Sequence, residues 1–324
     1  MTAAHPVATT PGTGRLGVPG SRAKPLRTSR EHLRDGWRAF STAARIGWQT
    51  ESNWADPLLF VIYSMAKPIA SVLILVFMLQ VISGGNARPE FRAFVVVGSA
   101  LWSFVVGGTA GLAWSLLDDR ERYRMLKYLY ISPNSLLVIL LGRGAARLAI
   151  AGMGALITLG VGIAFLGVGF DVGRVDWFVL VPAVLLGFVA IVSLGIILAA
   201  VCLQTRQESW SYPEAVAGAL FLLVGAVFPL SVLPVAVQGF GFLLPLTWWL
   251  ESVRQALVPG SLSGIGGQGS FWTLVTGTPA PTPGVVLIAL LATTAVTTLG
   301  AVAAYRWSER RAKERGLLDT TTGS

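Results

Sequence analysis

Apolar and polar positions are unevenly spread along this chain. Long blocks rich in Val, Leu, Ile, Ala and Phe are cut by short breaks, and one break is far more charged than the others. The blocks run over about 57–82, 93–117, 132–168, 177–203, 213–233 and 284–305. Each reaches the roughly 20 residues that cross a bilayer core, which predicts six membrane-spanning helices. Asp56-Pro57 and Ser132-Pro133-Asn134-Ser135 supply helix starts, and Ser83-Gly84-Gly85-Asn86 supplies a turn. The third block is longer than one crossing needs and carries Arg143 and Arg147 one turn apart near its start. Its first two turns are therefore expected among the headgroups.

Two further patterns frame the blocks. Over 29–55, Leu33, Trp37, Phe40, Ala44 and Trp48 recur at spacings of four, three, four and four, while Arg30, Arg34, Arg38 and Arg45 lie mostly off that line. Such a helix suits the membrane interface, with tryptophans at headgroup depth and arginines on anionic lipid. After the fifth block, Pro229, Pro234 and Pro245 break an apolar region too punctuated for one straight helix. A pair of short helices dipping back into the membrane is expected over 235–258, followed by a Gly-, Ser-, Thr- and Pro-rich loop over 259–283. Residues 1–28 lack an apolar core and hold four prolines, which predicts a disordered tail rather than a signal peptide.

Composition sharpens the class. The chain has 324 residues, 53% of them hydrophobic, and a mean hydropathy of +0.66. Its net charge of +9 would suggest nucleic acid in a soluble protein. Here Lys and Arg gather in the tails, in 118–134 and in 204–213, while the alternate loops hold only Arg88, Arg92, Arg174 and Arg254. That asymmetry orients a membrane protein with both termini in the cytoplasm and needs no nucleic acid, and two tails on one side require an even number of spans. Cys202 alone excludes an intrachain disulfide, and two histidines leave no metal cluster. No Gly-x-x-x-x-Gly-Lys-Ser/Thr loop occurs, so an ATP motor would be another polypeptide.

The charged break, DDRERYRMLKYLYISP over 118–133, carries four basic and three acidic side chains in a chain that is 13% charged. It is expected to face water and touch a partner. Asp118, Asp119, Arg120, Glu121, Arg122, Arg124 and Lys127 offer charge pairing, and Tyr123, Met125 and Leu126 an apolar anchor. Lys67, eleven residues past Asp56, falls about 16 Å into the first span, so its ammonium needs a partner or a wet cavity. Gly107, Gly108 and Gly111 allow close helix approach. Glu251 and Arg254, three apart on a helix, are expected to pair with each other or with headgroups.

Two patches resemble the ABC-2 type permeases, the membrane subunits of bacterial ATP-driven exporters. One is Asp119-Arg120-Glu121-Arg122 through Ile131-Ser132-Pro133 to Leu141-Gly142-Arg143. The other is Phe228-Pro229-Leu230-Ser231-Val232-Leu233-Pro234, then Leu244-Pro245-Leu246-Thr247, Glu251 and Arg254. The resemblance spans about 30–310; many members carry Gly-Thr where this chain has Arg124-Met125. It implies an all-α fold of six spans, an interfacial helix over 29–55 and a re-entrant hairpin before the last span, with a basic cytoplasmic tail over 307–324. It implies a homodimer or heterodimer of permeases in the bacterial cytoplasmic membrane, with ATP and magnesium held by a separate ABC ATPase subunit and no cofactor on this chain. On that reading 118–134 is the coupling loop. Lys67, Phe228, Pro229, Pro245, Trp248 and Trp249 become candidates for the path or an outer gate. A hydrophobic or amphipathic substrate fits the apolar lining, with a lipid or polysaccharide exporter as one alternative. An ion-gradient-driven transporter is the other; it wants paired intramembrane acids and an inverted repeat, which are not evident here.

Overall fold

The computed structural model describes residues 29–52, 57–86, 88–132, 135–165, 172–205, 210–260 and 262–315, and no strand occurs among them. The predicted interfacial helix is α1 (Ser29–Ser52), followed by α2 (Pro57–Ile82) and α3 (Pro89–Leu117). A π-helical turn, Asp118–Arg122, continues α3, and the short α4 (Leu126–Ile131) precedes α5 (Leu136–Phe165). Next come α6 (Trp177–Gln204), α7 (Ser211–Leu223), α8 (Val235–Leu243), α9 (Pro245–Leu257), α10 (Phe271–Thr276) and α11 (Pro283–Glu314). The tail over 1–28, Pro133 and 316–324 lie outside the described residues, as do the side chains of Lys67 and Lys127.

Among the described residues, four helices are long and apolar enough to cross a membrane: α3 with its turn, α5, α6 and α11. The apolar stretches Pro68–Ile82 and Ser211–Leu223 are shorter. The fifth block departs most from expectation. Its pattern predicts helix to about 233, but α7 ends at Leu223, just before Gly225 at φ +69°. That left-handed backbone turns the chain, and Pro229 and Pro234 then prevent the helix from resuming. The last block departs the other way. The helix does not stop where the span was expected to end near Tyr305: α11 continues to Glu314, with Tyr305, Ser308 and Ala312 buried along one face. Ser308 Oγ donates to the Ala200 carbonyl at 2.7 Å, and Gln204 Nε2 donates to the Ser308 carbonyl at 2.7 Å.

The core is continuous with α3. Near its start, Phe94, Val95 and Val96 pack with Val72 and Val76 of α2. Val105 joins a cluster built from Ile191, Leu246, Trp249, Leu250 and Leu290. At the far end, Leu112, Leu116 and Leu117 pack with Leu126, Leu140, Leu203 and Tyr305. Helix α1 lies on α5 at backbone contact: a Cβ on Gly142 would sit 2.5 Å from the Phe40 carbonyl oxygen and 2.8 Å from Ala43 Cβ. Trp37 and Trp48 point away from that seam and are exposed.

Candidate functional site at the charged turn

The charged break divides into a buried root and an exposed ledge. Its charge density predicts that Asp118, Asp119 and Arg120 face water; instead all three are buried. Asp118 Oδ2 accepts from Arg147 Nη2 at 2.6 Å, and the same nitrogen lies 2.8 Å from Glu51 Oε1 on α1. Asp119 pairs with Arg143 of α5. Arg120 turns the other way, donating through Nη1 to the carbonyls of Cys202 at 2.9 Å and Thr205 at 3.0 Å, and through Nε to Glu121 at 2.7 Å. It thereby caps the orphan carbonyls at the end of α6 with a cation, where the helix dipole is negative.

The physical reason for the correction lies in the next helix. Arg143 and Arg147, one turn apart on α5, present two guanidiniums to two adjacent carboxylates, and burial is tolerated because each charge is met by its opposite. The π-turn makes the register work. Its backbone bonds run from Tyr123 N to the Asp118 carbonyl at 2.8 Å and from Met125 N to the Asp119 carbonyl at 2.8 Å. The wider turn swings consecutive side chains to opposite sides, Asp118 and Asp119 to α5 and Arg120 to α6.

Beyond the root, Arg122, Tyr123, Arg124 and Met125 are exposed and Tyr128 is 65% exposed, but Leu126, expected as an anchor for a partner, is buried in the chain's own core against Leu117 and Leu140. Arg124 sits at φ +51°. That left-handed conformation costs a non-glycine residue about 1 kcal/mol or more. Arg143 lies 5.6 Å from the Tyr123 ring centroid, holding the base of the ledge. Beside the ledge, a groove of about 490 Å³ is lined by Asp35, Ala39, Thr42 and Ile46 of α1, Met125 and Leu129, and Ile139 of α5. Lys313 Nζ, 4.9 Å from the Tyr130 ring, adds α11 to the same assembly.

The opposite end holds the other predicted residues. Glu251 and Arg254 are buried and make no direct ion pair, contrary to expectation. Glu251 accepts from Gly264 N at 2.7 Å, Ser263 Oγ at 2.6 Å and Gln255 Nε2 at 2.9 Å. Arg254 Nη2 donates to the Ala226 carbonyl at 2.5 Å. Headgroup pairing is ruled out by their burial. Trp249 packs on Gly187 and Phe104, while Trp248 donates to the Phe242 carbonyl at 2.9 Å and meets Trp272 edge-on. Pro245 starts α9 and is buried; Phe228 and Pro229 are half-buried in the turn leading to it.

Apolar spans gathered round a central helix, with a charged element rooted at one end, define a multi-pass helical membrane protein with transport architecture. The chain belongs to the ABC-2 type transporter family, whose model matches residues 41–258, from α1 to the end of α9. It is therefore an ABC transporter membrane component, of a family that works with ABC ATPase subunits. No curated protein matches the chain closely enough to add a relative.

Proposed function

We propose that this chain is half of the channel of an ATP-driven exporter in the bacterial cytoplasmic membrane, paired with a second permease and driven by a separate ATPase that binds ATP and magnesium. The observation that carries this reading is the split in the charged turn. A ledge from Arg122 to Met125, with Tyr128 beside it, is exposed next to an apolar groove, and its base is bonded to α1, α5 and α6. A partner that pushes such a ledge displaces helices rather than bending a loop.

On this reading both termini are cytoplasmic. Helices α2, α3, α5, α6 and α11, and α7 with the segment after it, make six spans, α1 lies in the interface with Trp37 and Trp48 in the headgroups, and α8–α9 form a re-entrant hairpin at the outer face. ATP binding closes the motor, tilts the ledge and opens a path between the two permeases for a hydrophobic or amphipathic substrate; hydrolysis resets it. Lys67 is the candidate cavity charge.

The test is co-expression with the ABC ATPases of the same genome, each tried in turn. Arg122→Glu with Tyr128→Ala should insert at native yield yet lose co-purification of the ATPase and ATP-dependent dye transport. If the native chain captures no ATPase, or the double variant keeps both properties, the reading is rejected.

A further inference from the structure

We propose that Arg254 fastens the outer hairpin to α3, so that hairpin and helix are one rigid body and motion of the charged turn reaches the outer mouth without a hinge. This builds on the exporter reading but concerns residues which that reading leaves unused.

The joint is unusually tight. A Cβ on Gly98 of α3 would lie 1.8 Å from the Ala226 carbonyl oxygen and 2.3 Å from Arg254 Nη2, so only glycine lets this backbone and this guanidinium meet. Arg254 then spans the junction. Its Nη2 holds the Ala226 carbonyl, and its Cζ stacks 3.7 Å from the Phe94 ring centroid, one turn before Gly98. A desolvated guanidinium over an aromatic face is held more firmly than an exposed one.

The hairpin side is itself cross-braced. Glu251 ties α9 to the loop at Ser263 and Gly264, and Leu230 N donates to the Gly264 carbonyl at 2.7 Å. Gln238 of α8 accepts from Phe271 N at 2.7 Å, and Thr247 Oγ1 donates to the Gly241 carbonyl at 2.6 Å. Helix α3 has no proline after its first residue, and from Gly98 to Asp118 it runs about 20 residues, about 30 Å. Its mid-span glycines give no swivel, because a Cβ on Gly107 or Gly108 would meet Ala151 or Ile191 at 2.2 or 2.3 Å. Coupling between distant sites travels well through a rigid element gripped at both ends. Here the grips are Arg254 above and Arg143 with Arg147 below.

The experiment places spin labels at Glu90→Cys and Phe240→Cys in a Cys202→Ser background, in the complex with the ABC ATPase that co-purifies with the chain, in nanodiscs. Distances within one chain and between the two permeases are measured without nucleotide and with vanadate-trapped ATP. One rigid body predicts a narrow Glu90–Phe240 distance that is identical in both states. The same distance should broaden about twofold in Arg254→Lys, which keeps the charge but cannot bond and stack in one plane, and also in the milder Phe94→Leu. A nucleotide-dependent Glu90–Phe240 distance, or variants as narrow as the native chain, overturns the inference. A distance between permeases that ignores nucleotide counts against the exporter reading alone, since the comparison of widths still decides the joint.

Discussion

The two ends of α3 bury charge in opposite ways. At the charged turn, carboxylates and guanidiniums meet directly across helices: Asp118 with Arg147, Asp119 with Arg143, and Glu51 sharing Arg147. At the other end Glu251 and Arg254 sit on one helix without touching: Glu251 accepts from Gly264 N, Ser263 Oγ and Gln255 Nε2, while Arg254 holds the Ala226 carbonyl through Nη2 and leaves its Nε without a partner. A direct ion pair between helices can exchange partners when helices shift, and Arg147 has two acids within reach. A carboxylate held by a main-chain N–H and a guanidinium held by a carbonyl have no such freedom, because their partners move only with the backbone. Both joints hold α3, one by side-chain pairs across helices and the other by bonds to the backbone.

The largest expected effect breaks the permanent end. Glu251→Ala leaves Arg254 buried without its nearby countercharge and strips Gly264 N and Ser263 of their acceptor. Each stranded buried donor costs about 1–3 kcal/mol, so a loss of about 3–5 kcal/mol is expected, read as a lower melting temperature in detergent and poor membrane yield. Next is the exchangeable end. Asp119→Ala should destabilise by about 3 kcal/mol through the stranded Arg143. Adding Arg143→Met should recover much of that, giving a coupling energy of about 2 kcal/mol in a double-mutant cycle; full additivity would mean that the pair does not act as a unit.

A smaller effect has the opposite sign. Arg124→Gly should raise stability by about 1 kcal/mol by removing left-handed strain, offset in part by the freer unfolded chain; a clear loss would show that the Arg124 side chain supports the turn. The smallest is Glu51→Gln. Its pair with Arg147 is one-third exposed, so a change near 0.5 kcal/mol or less is expected, fading with added salt.

Much of the fold could be read from the spacing of residues. Helix α1 and the blocks that became α3, α5 and α6 follow directly from apolar length and period. The buried root of the charged turn was hidden because charge density signals water when a sequence is read locally, and the guanidiniums that make burial possible stand 24 and 29 residues away. A signal did exist: two adjacent acids followed, in the next helix, by Arg143 and Arg147 at a one-turn spacing. The Arg254 joint left fainter traces. Phe94 and Gly98, four apart, look like ordinary span residues, and only a tertiary contact assigns them to Arg254. The break of α7 at Leu223 turned on Gly225, whose positive φ no apolar pattern reveals.

The seam between α1 and α5 also sets an order of events during synthesis. Gly47 and Ala43 can close on Gly142 and Arg143 only after α5 exists, about a hundred residues and thus about 5–20 s of translation later. Until then α1 has no α5 face to close on, so it docks only after about a hundred further residues are made. The contacts of Glu51 and Asp118 with Arg147 wait for that event, and those of Arg120 with Cys202 and Thr205 wait longer still, for α6.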